Sequence, residues 1–185
     1  MALESYRNRV ETLASDRSGD PVFNGSMDHA EIIVENMFAH AEKHVNILTG
    51  KLNARVYGTE EVKEEARLFL ADAENKVQIL MEEVDMADLK DHPFFDEFHN
   101  YDNVVVREVP KELSSLYDFH FLVMDGDSYR FEEDKTKTAA VAAFGEPTGA
   151  ANMERTFKRI WAAGKPVSLP QTKVDDKKSS GASTS

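Results

Sequence analysis

The stretch LSSLYDFHFLVMDGDSYRFEED, residues 113–134, decides the fold and raises the question of activity. Two short apolar runs, FHFLVMD and SYRFEE, lie on either side of Asp125-Gly126, a pair that favours a tight turn between antiparallel strands. His120 alternates with Phe119 in the first run, so one of the two side chains should face the core. The stretch therefore predicts a β-hairpin that carries a histidine on one of its faces.

The sequence before this hairpin alternates between helical and strand patterns. Apolar residues recur at helical spacing between Ser26 and Ala41, where Ser26 or Asp28 can cap the helix, and again over residues 59–73. A proline in the first turn favours a short helix within residues 91–100. The predicted strands are residues 45–50, 76–83 and 103–110. This alternation indicates β-α-β units with parallel strands.

The sequence after the hairpin predicts one further strand, residues 138–144, and a closing helix, residues 150–164, which Gly164 and Pro166 end. Because hairpin strands are antiparallel, the sheet should be mixed. We therefore expect an α/β fold in which a mixed β-sheet of six or seven strands is flanked by helices. The expected organisation is an N-terminal segment that can form a short helix (1–25), a single α/β domain (26–170) and a disordered polar tail (171–185).

The composition narrows the function classes. The chain has 185 residues, a formal net charge of −12 and an isoelectric point near 4.9. Since phosphate backbones are bound by Lys and Arg, this charge argues against a nucleic-acid partner. The absence of cysteine excludes disulfides and thiolate zinc sites. No segment is long and apolar enough for a membrane span and no phosphate loop is present, so we expect a cytoplasmic protein without membrane contact or cofactor.

The order of elements between residues 27 and 165, which ends in strand, Asp-Gly, two strands and a helix, resembles one half of a phospholipase D-like domain. The family motif is His-x-Lys-x4-Asp, usually followed by Gly-Ser-x-Asn. Asp125-Gly126 matches the end of this motif, which puts Asp118 at the histidine position and His120 at the lysine position. The Gly-Ser-x-Asn segment is absent. The resemblance implies a phospholipase D-like α/β sandwich in which the reactive pair has been replaced.

The resemblance also implies a function. In the family, the histidine attacks phosphorus and the lysine holds the non-bridging oxygens. Asp118 would instead add negative charge, and His120 would be neutral for much of the time near pH 7. We therefore expect a non-catalytic relative, an accessory or regulatory module that binds a protein partner. Family members with one motif per chain commonly pair, so we also expect a homodimer.

Two alternatives remain open. The first is a phosphodiesterase or nuclease that uses His120 and Asp125, helped by Lys135, Lys137 or Arg155 from outside the motif. The second is a sensor domain that holds a small anionic ligand in the same pocket. The missing lysine favours the non-catalytic interpretation over the first alternative.

Two other groups of residues are candidates for binding. Arg155, Lys158 and Arg159 form a basic cluster that can receive an anionic ligand or an acidic partner, although a basic helix end that complements the helix dipole explains them as well. His40 and His44 lie four apart and would share one face of the predicted helix. The metalloprotease pattern is not met and no third ligand can be named, so we expect no metal site.

Two acidic stretches are interpreted as solvated surface. The first is residues 81–98, in which the phenylalanines should be buried. The second is the hairpin itself, with acids at residues 125–127 and 132–134, where the spacing of a calcium loop is not met. Neither stretch is therefore interpreted as a metal site.

Overall fold

One mixed sheet organises residues 2–170, the part of the chain that the computed structural model describes. Its strand order is β1-β7-β6-β5-β2-β3-β4-β8. The strands are β1 (Val22–Asn24), β2 (His44–Thr49), β3 (Lys76–Met81), β4 (Val104–Glu108), β5 (His120–Met124), β6 (Ser128–Glu132), β7 (Ala140–Ala143) and β8 (Lys165–Val167). Strands β2, β3 and β4 are parallel, and all other neighbouring pairs are antiparallel. The predicted fold class is therefore confirmed, and two edge strands, β1 and β8, were missed because three residues are too few to show an alternating pattern.

The helices follow local signals that the sequence carries. They are α1 (Leu3–Asp16), α2 (Met27–Ala39), α3 (Ala54–Tyr57), α4 (Glu60–Leu70), α5 (Met86–Lys90), α6 (Pro93–Phe98), α7 (Lys111–Ser114) and α8 (Pro147–Ala163). Ser26 caps α2, since its hydroxyl accepts from the backbone N–H of His29 at 3.2 Å. Helix α8 begins at Pro147, three residues before the predicted start at Ala150, because the Glu146 carboxylate caps it by accepting from the backbone N–H groups of Thr148 and Gly149.

The two faces of the sheet have separate cores. Helices α2 and α4, with α1 packed on α2, cover one face, where Phe38 packs in the same cluster as Ile47. Helix α8 covers the other face, where Phe157 packs in the cluster that contains Leu48 and Phe121. Ile47 and Leu48 are neighbours in β2 and belong to different cores, as the alternation of side chains along a strand requires.

The predicted hairpin is present, and it fixes the register of its side chains. Asp125 and Gly126 both have positive φ, and the Asp127 N–H donates to the Met124 carbonyl at 3.2 Å, which is the geometry of a type I′ turn. In the antiparallel pair that follows, His120 lies directly opposite Glu132. The turn therefore determines which carboxylate the histidine meets.

The predicted pair of histidines on one helical face is wrong. Helix α2 ends at Ala39, His40 is its C-terminal cap and His44 already begins β2. The Asp125 carboxylate accepts hydrogen bonds from the backbone N–H groups of residues 42–44, which hold the connection in a non-helical form. The two imidazoles therefore do not share a helical surface.

The N-terminal segment forms a helix, as the sequence allowed, and it packs against the sheet domain. Tyr6, Val10 and Ala14 of α1 are buried, and Arg7 forms an ion pair with Glu35 of α2. No helix within residues 2–170 is long and apolar enough to cross a membrane. The predicted disordered tail, residues 171–185, lies outside the described residues.

Candidate functional site

A cavity of about 440 Å³ opens where β2 and β3 end and where β5 begins. Crevices at the carboxyl ends of parallel strands are the usual ligand sites of open α/β sheets. Met27 and Val56 form an apolar side of the cavity. Its lining residues with an acidic, basic or imidazole side chain are Lys51, Glu82, Glu83, His120, Arg130, Glu132, Lys135 and Lys137.

His120 stands at the back of this cavity between two carboxylates. Its side chain is 10% exposed. On one side, Nδ1 lies 3.6 Å from Glu132 Oε2, and on the other side Nε2 lies 3.5 Å from Glu82 Oε2. The second contact is close but does not have hydrogen-bond geometry, and within residues 2–170 the buried Nε2 has no hydrogen-bond partner. Both ring nitrogens therefore face negative charge.

The two innermost cations of the cavity are each paired with one of these carboxylates. Arg130, in the same strand as Glu132, forms an ion pair with it through Nη1. Lys135 Nζ lies 3.2 and 3.3 Å from the two oxygens of Glu82 and also donates to the Ser114 carbonyl at 3.0 Å. Positive charge is therefore present at the site, but it is already neutralised.

Burial and pairing act in opposite directions on Glu132. Burial alone raises the pKa of this carboxyl, but the His120 ring and the Arg130 guanidinium outweigh it and hold the pKa below its ordinary value. Glu132 is therefore ionised at neutral pH. A carboxylate that stays charged at Nδ1 offsets part of any positive charge that the ring could offer to an anion.

A line of polar side chains crosses the sheet beneath the cavity. Asn24 of β1 accepts from Arg130 Nε at 3.1 Å and donates to the Thr138 carbonyl at 2.9 Å, so the edge strand orients the guanidinium. At the other end, a Cβ built on Gly50 would lie 3.2 Å from His120 Cε1. The imidazole fits in this position because residue 50 has no side chain.

The residues proposed for catalysis are not brought together. Asp125 lies at the opposite end of β5 from His120, and its carboxylate accepts three backbone N–H bonds at 2.7–2.9 Å. Asp118, which the sequence analysis assigned to the histidine position of the motif, is exposed and does not line the cavity. Of the cations named as helpers, Lys135 and Lys137 line the cavity with His120, and Arg155 does not.

The basic cluster of α8 is separate from the cavity. Arg155, Lys158 and Arg159 are exposed, on a helix whose buried side packs against β2, β5 and β6 in the second core. Lys158 Nζ lies 2.9 Å from a Glu154 oxygen, so part of this positive charge is paired within the helix. These three residues stay a candidate for binding on their own surface, and the structure does not connect them to His120.

Sequence reasoning missed the two carboxylates that surround His120. Glu82 and Glu132 lie in the acidic stretches interpreted as solvated surface, yet their side chains are only 10% and 19% exposed. The interpretation holds for other members, such as Glu83, whose side chain is 70% exposed. One signal was available: Glu132 follows Arg130 by two residues in a strand, so the two side chains share a face. Among the described residues, no group of three His, Cys, Asp or Glu side chains is arranged to hold a metal ion.

Comparison with solved structures identifies the class of fold. Nuc of Salmonella typhimurium, a phospholipase D family member, superposes with a TM-score of 0.54 at 13% identity, over 80% of this chain and 99% of that one. NucT of Helicobacter pylori gives 0.57 at 10% identity, over 80% and 99%. TrmBL2, an archaeal chromatin protein, gives 0.59 at 14% identity over 89% of this chain, which spans 62% of the TrmBL2 chain. The protein therefore has a phospholipase D-like fold.

A comparison with models of protein families identifies the family of this chain. Residues 26–170 match the model of DUF7931, described as a domain of unknown function. The chain belongs to this family, and the match spans the sheet except β1. A search of curated proteins found no match.

Proposed function

We propose that this chain is a non-catalytic binding module built on the phospholipase D-like fold. The observation that carries the proposal is the position of His120 between the carboxylates of Glu82 and Glu132, at 3.5 and 3.6 Å. Cleavage of a phosphodiester requires an available nucleophile and unneutralised positive charge near the transferring phosphorus. Here both carboxylates would lie against the substrate, and Arg130 and Lys135 are already engaged by them.

The replacement at the family's histidine position supports the same conclusion. Asp118 is exposed, and its contribution to this region is a backbone carbonyl that accepts from the Lys135 N–H at 2.9 Å. Among the described residues, no second imidazole lines the cavity. A mechanism that uses one histidine as nucleophile and another as acid therefore has no candidate pair within the described part of one chain.

The proposed partners of this module are proteins, including a second copy of the chain. TrmBL2 is described as showing a novel mode of DNA binding, and Nuc is a phospholipase D family member. A net charge of −12 opposes nucleic acid as a partner for this chain. We propose in addition that the protein is cytoplasmic, that its role is regulatory and that it forms a homodimer. Light scattering on the purified chain at several concentrations tests the dimer.

The proposal is tested by a turnover assay at high enzyme concentration. The substrates are bis(p-nitrophenyl) phosphate and a fluorescent single-stranded oligonucleotide, and His120→Asn and Lys135→Met are the variants. We expect no turnover above the buffer rate for the wild type or for either variant. Turnover by the wild type that both variants abolish would show that the chain is an enzyme.

A second candidate, phosphodiesterase or nuclease activity, is favoured by one specific observation. His120 and Lys135 both line the cavity and converge on Glu82. An imidazole and an ammonium are the side chains that phosphodiester cleavage uses in the family. Asp125 is not part of this candidate site. The catalytic step of an active enzyme would therefore depend on His120 and Lys135 and would not involve Asp125.

A further inference from the structure

Glu82 lies at the point where the donors of the cavity converge. It directly follows β3, and its side chain is 10% exposed. One of its oxygens lies 3.2 Å from Lys135 Nζ and 3.5 Å from His120 Nε2. An ammonium and an imidazole that meet one oxygen from two directions form the arrangement that binds an oxyanion. We propose that the Glu82 carboxylate is an internal occupant of an oxyanion site, and that removing its charge frees Lys135 and His120 to bind a small inorganic oxyanion.

Lys135 is held in place by groups other than Glu82. Its backbone N–H donates to the Asp118 carbonyl at 2.9 Å, and its ammonium donates to the Ser114 carbonyl at 3.0 Å. The ammonium therefore keeps a partner when Glu82 loses its charge. The donor directed into the cavity remains available for another anion.

His120 is positioned on its opposite side in the same way. Glu132 faces Nδ1 at 3.6 Å, and the ion pair with Arg130 fixes that carboxylate. The ring also packs against Gly50, where a Cβ would come within 3.2 Å of Cε1. Nε2 is left without a hydrogen-bond partner among the described residues, and His120 as a whole is 8% exposed. A buried polar nitrogen without a partner is costly, so an oxyanion that accepts a hydrogen bond from it would be stabilised.

The charge balance explains why the site is closed in the wild type. The four least exposed charged side chains of the cavity are Glu82 and Glu132, with two negative charges, and Arg130 and Lys135, with two positive charges, so these four groups sum to zero. Neutral glutamine at residue 82 leaves a sum of plus one, located at Lys135. The inference rests on the proposed function, because a carboxylate that occupies the site in the wild type would keep the phosphate of a phosphodiester substrate out of it.

The test uses the full chain and inorganic phosphate as the probe. Glu82→Gln keeps the size of the side chain and removes its charge, and Glu133→Gln is the matched control, since Glu133 is exposed and lies outside the cavity. Phosphate is titrated by isothermal calorimetry into the wild type, both single variants and Glu82→Gln/Lys135→Met, with folding checked by thermal melting. We expect at least tenfold tighter binding to Glu82→Gln than to the wild type, no gain for Glu133→Gln, and loss of the gain in the double variant.

Two results would overturn the inference. One is a folded Glu82→Gln that binds phosphate no better than the wild type, and the other is a double variant that binds as tightly as Glu82→Gln. If Glu82→Gln does not fold, the same titration with Glu82→Ala decides the question by the same criteria. Turnover of bis(p-nitrophenyl) phosphate by the wild type would contradict the proposed function alone, because the titration of phosphate measures the occupant role separately.

Discussion

His44 Nε2, at the start of β2, lies 2.7 Å from Glu154 Oε1 in α8, and this contact joins the sheet to the helix that covers its second face. Asn46 donates to the same oxygen at 2.8 Å, and Lys158 Nζ lies 2.9 Å from the other oxygen. The contact with His44 lowers the pKa of Glu154 most, burial opposes it and Lys158 assists, with a net pKa of about 2. The buried carboxylate of α8 is therefore ionised at every ordinary pH.

We expect Glu154→Gln to lower the free energy of unfolding by about 2 kcal/mol, because hydrogen bonds to a charged group are worth roughly that amount. Urea denaturation at pH 7 measures the change. Glu112→Gln is the control, since Glu112 is exposed and should change stability little. An equal effect of the two substitutions would contradict the role of the contact.

The same carboxylate predicts how stability depends on pH. The folded pKa of Glu154, about 2, lies below its ordinary value of 4.5, so the folded state favours the ionised form. The stabilisation is fully present above the ordinary value and is lost as the pH falls through the folded pKa. The difference in unfolding free energy between the wild type and Glu154→Gln should therefore shrink between pH 5 and pH 2, within the range in which both proteins remain folded. A difference in unfolding free energy that stays constant over that range would contradict the stabilising role of the ionised Glu154 carboxylate.

Asp125→Ala should destabilise the fold without being a catalytic change. The carboxylate accepts backbone N–H groups of Glu42, Lys43 and His44 at 2.7–2.9 Å, and alanine leaves these donors to water. We expect a loss of about 2–3 kcal/mol in chemical denaturation, of the size found when charged hydrogen-bond acceptors are removed. Asp20→Ala, at an exposed position, serves as the comparison. If Asp125→Ala left the free energy of unfolding unchanged, the turn would not need the carboxylate.

Gly145→Ala should lower the melting temperature strongly, and Gly25→Ala should hardly change it. Gly145 has φ of +78°, and a Cβ there would lie 2.3 Å from the Arg17 carbonyl oxygen, whereas a Cβ at Gly25 would have nothing within 4 Å. The left-handed conformation alone costs a residue with a Cβ about 1–2 kcal/mol, and the clash adds to this cost. We expect Gly145→Ala to lower the melting temperature by about 10 °C or more and Gly25→Ala to change it by less than about 3 °C. Comparable melting curves for the two variants would show that residue 145 does not need to be glycine.

The sequence predicted the six central strands of the sheet, and β2, β3, β4 and β5 among them are short, mostly apolar runs. The hairpin at Asp125-Gly126 was predicted because two residues with positive φ are most readily accepted by that pair. The edge strands β1 and β8 were not predicted, since they are three residues long and depend on neighbours that are distant in sequence. The local sequence pattern was therefore sufficient to predict the strands of four or more residues.

The candidate site was predicted only in part, for a related reason. His120, Lys135 and Lys137 were named from the motif and its surroundings, and all three line the cavity. Glu82 lies far from them along the chain and reaches His120 only because β3 and β5 both lie next to β2. Acidic residues are mostly exposed, so composition alone gave no reason to bury this one.

Strand β1 has a consequence for any shortened form of the protein. Residues 22–24 lie outside the family match, yet they pair with β7 and close that edge of the sheet. A chain that began at residue 26 would present the β7 backbone to solvent, and an open edge recruits strands from other molecules. The same cut would remove Asn24, the acceptor of Arg130 Nε, and leave a buried guanidinium with an unmet donor. Resistance to aggregation and the orientation of Arg130 in the cavity therefore depend together on three residues that the family definition does not include.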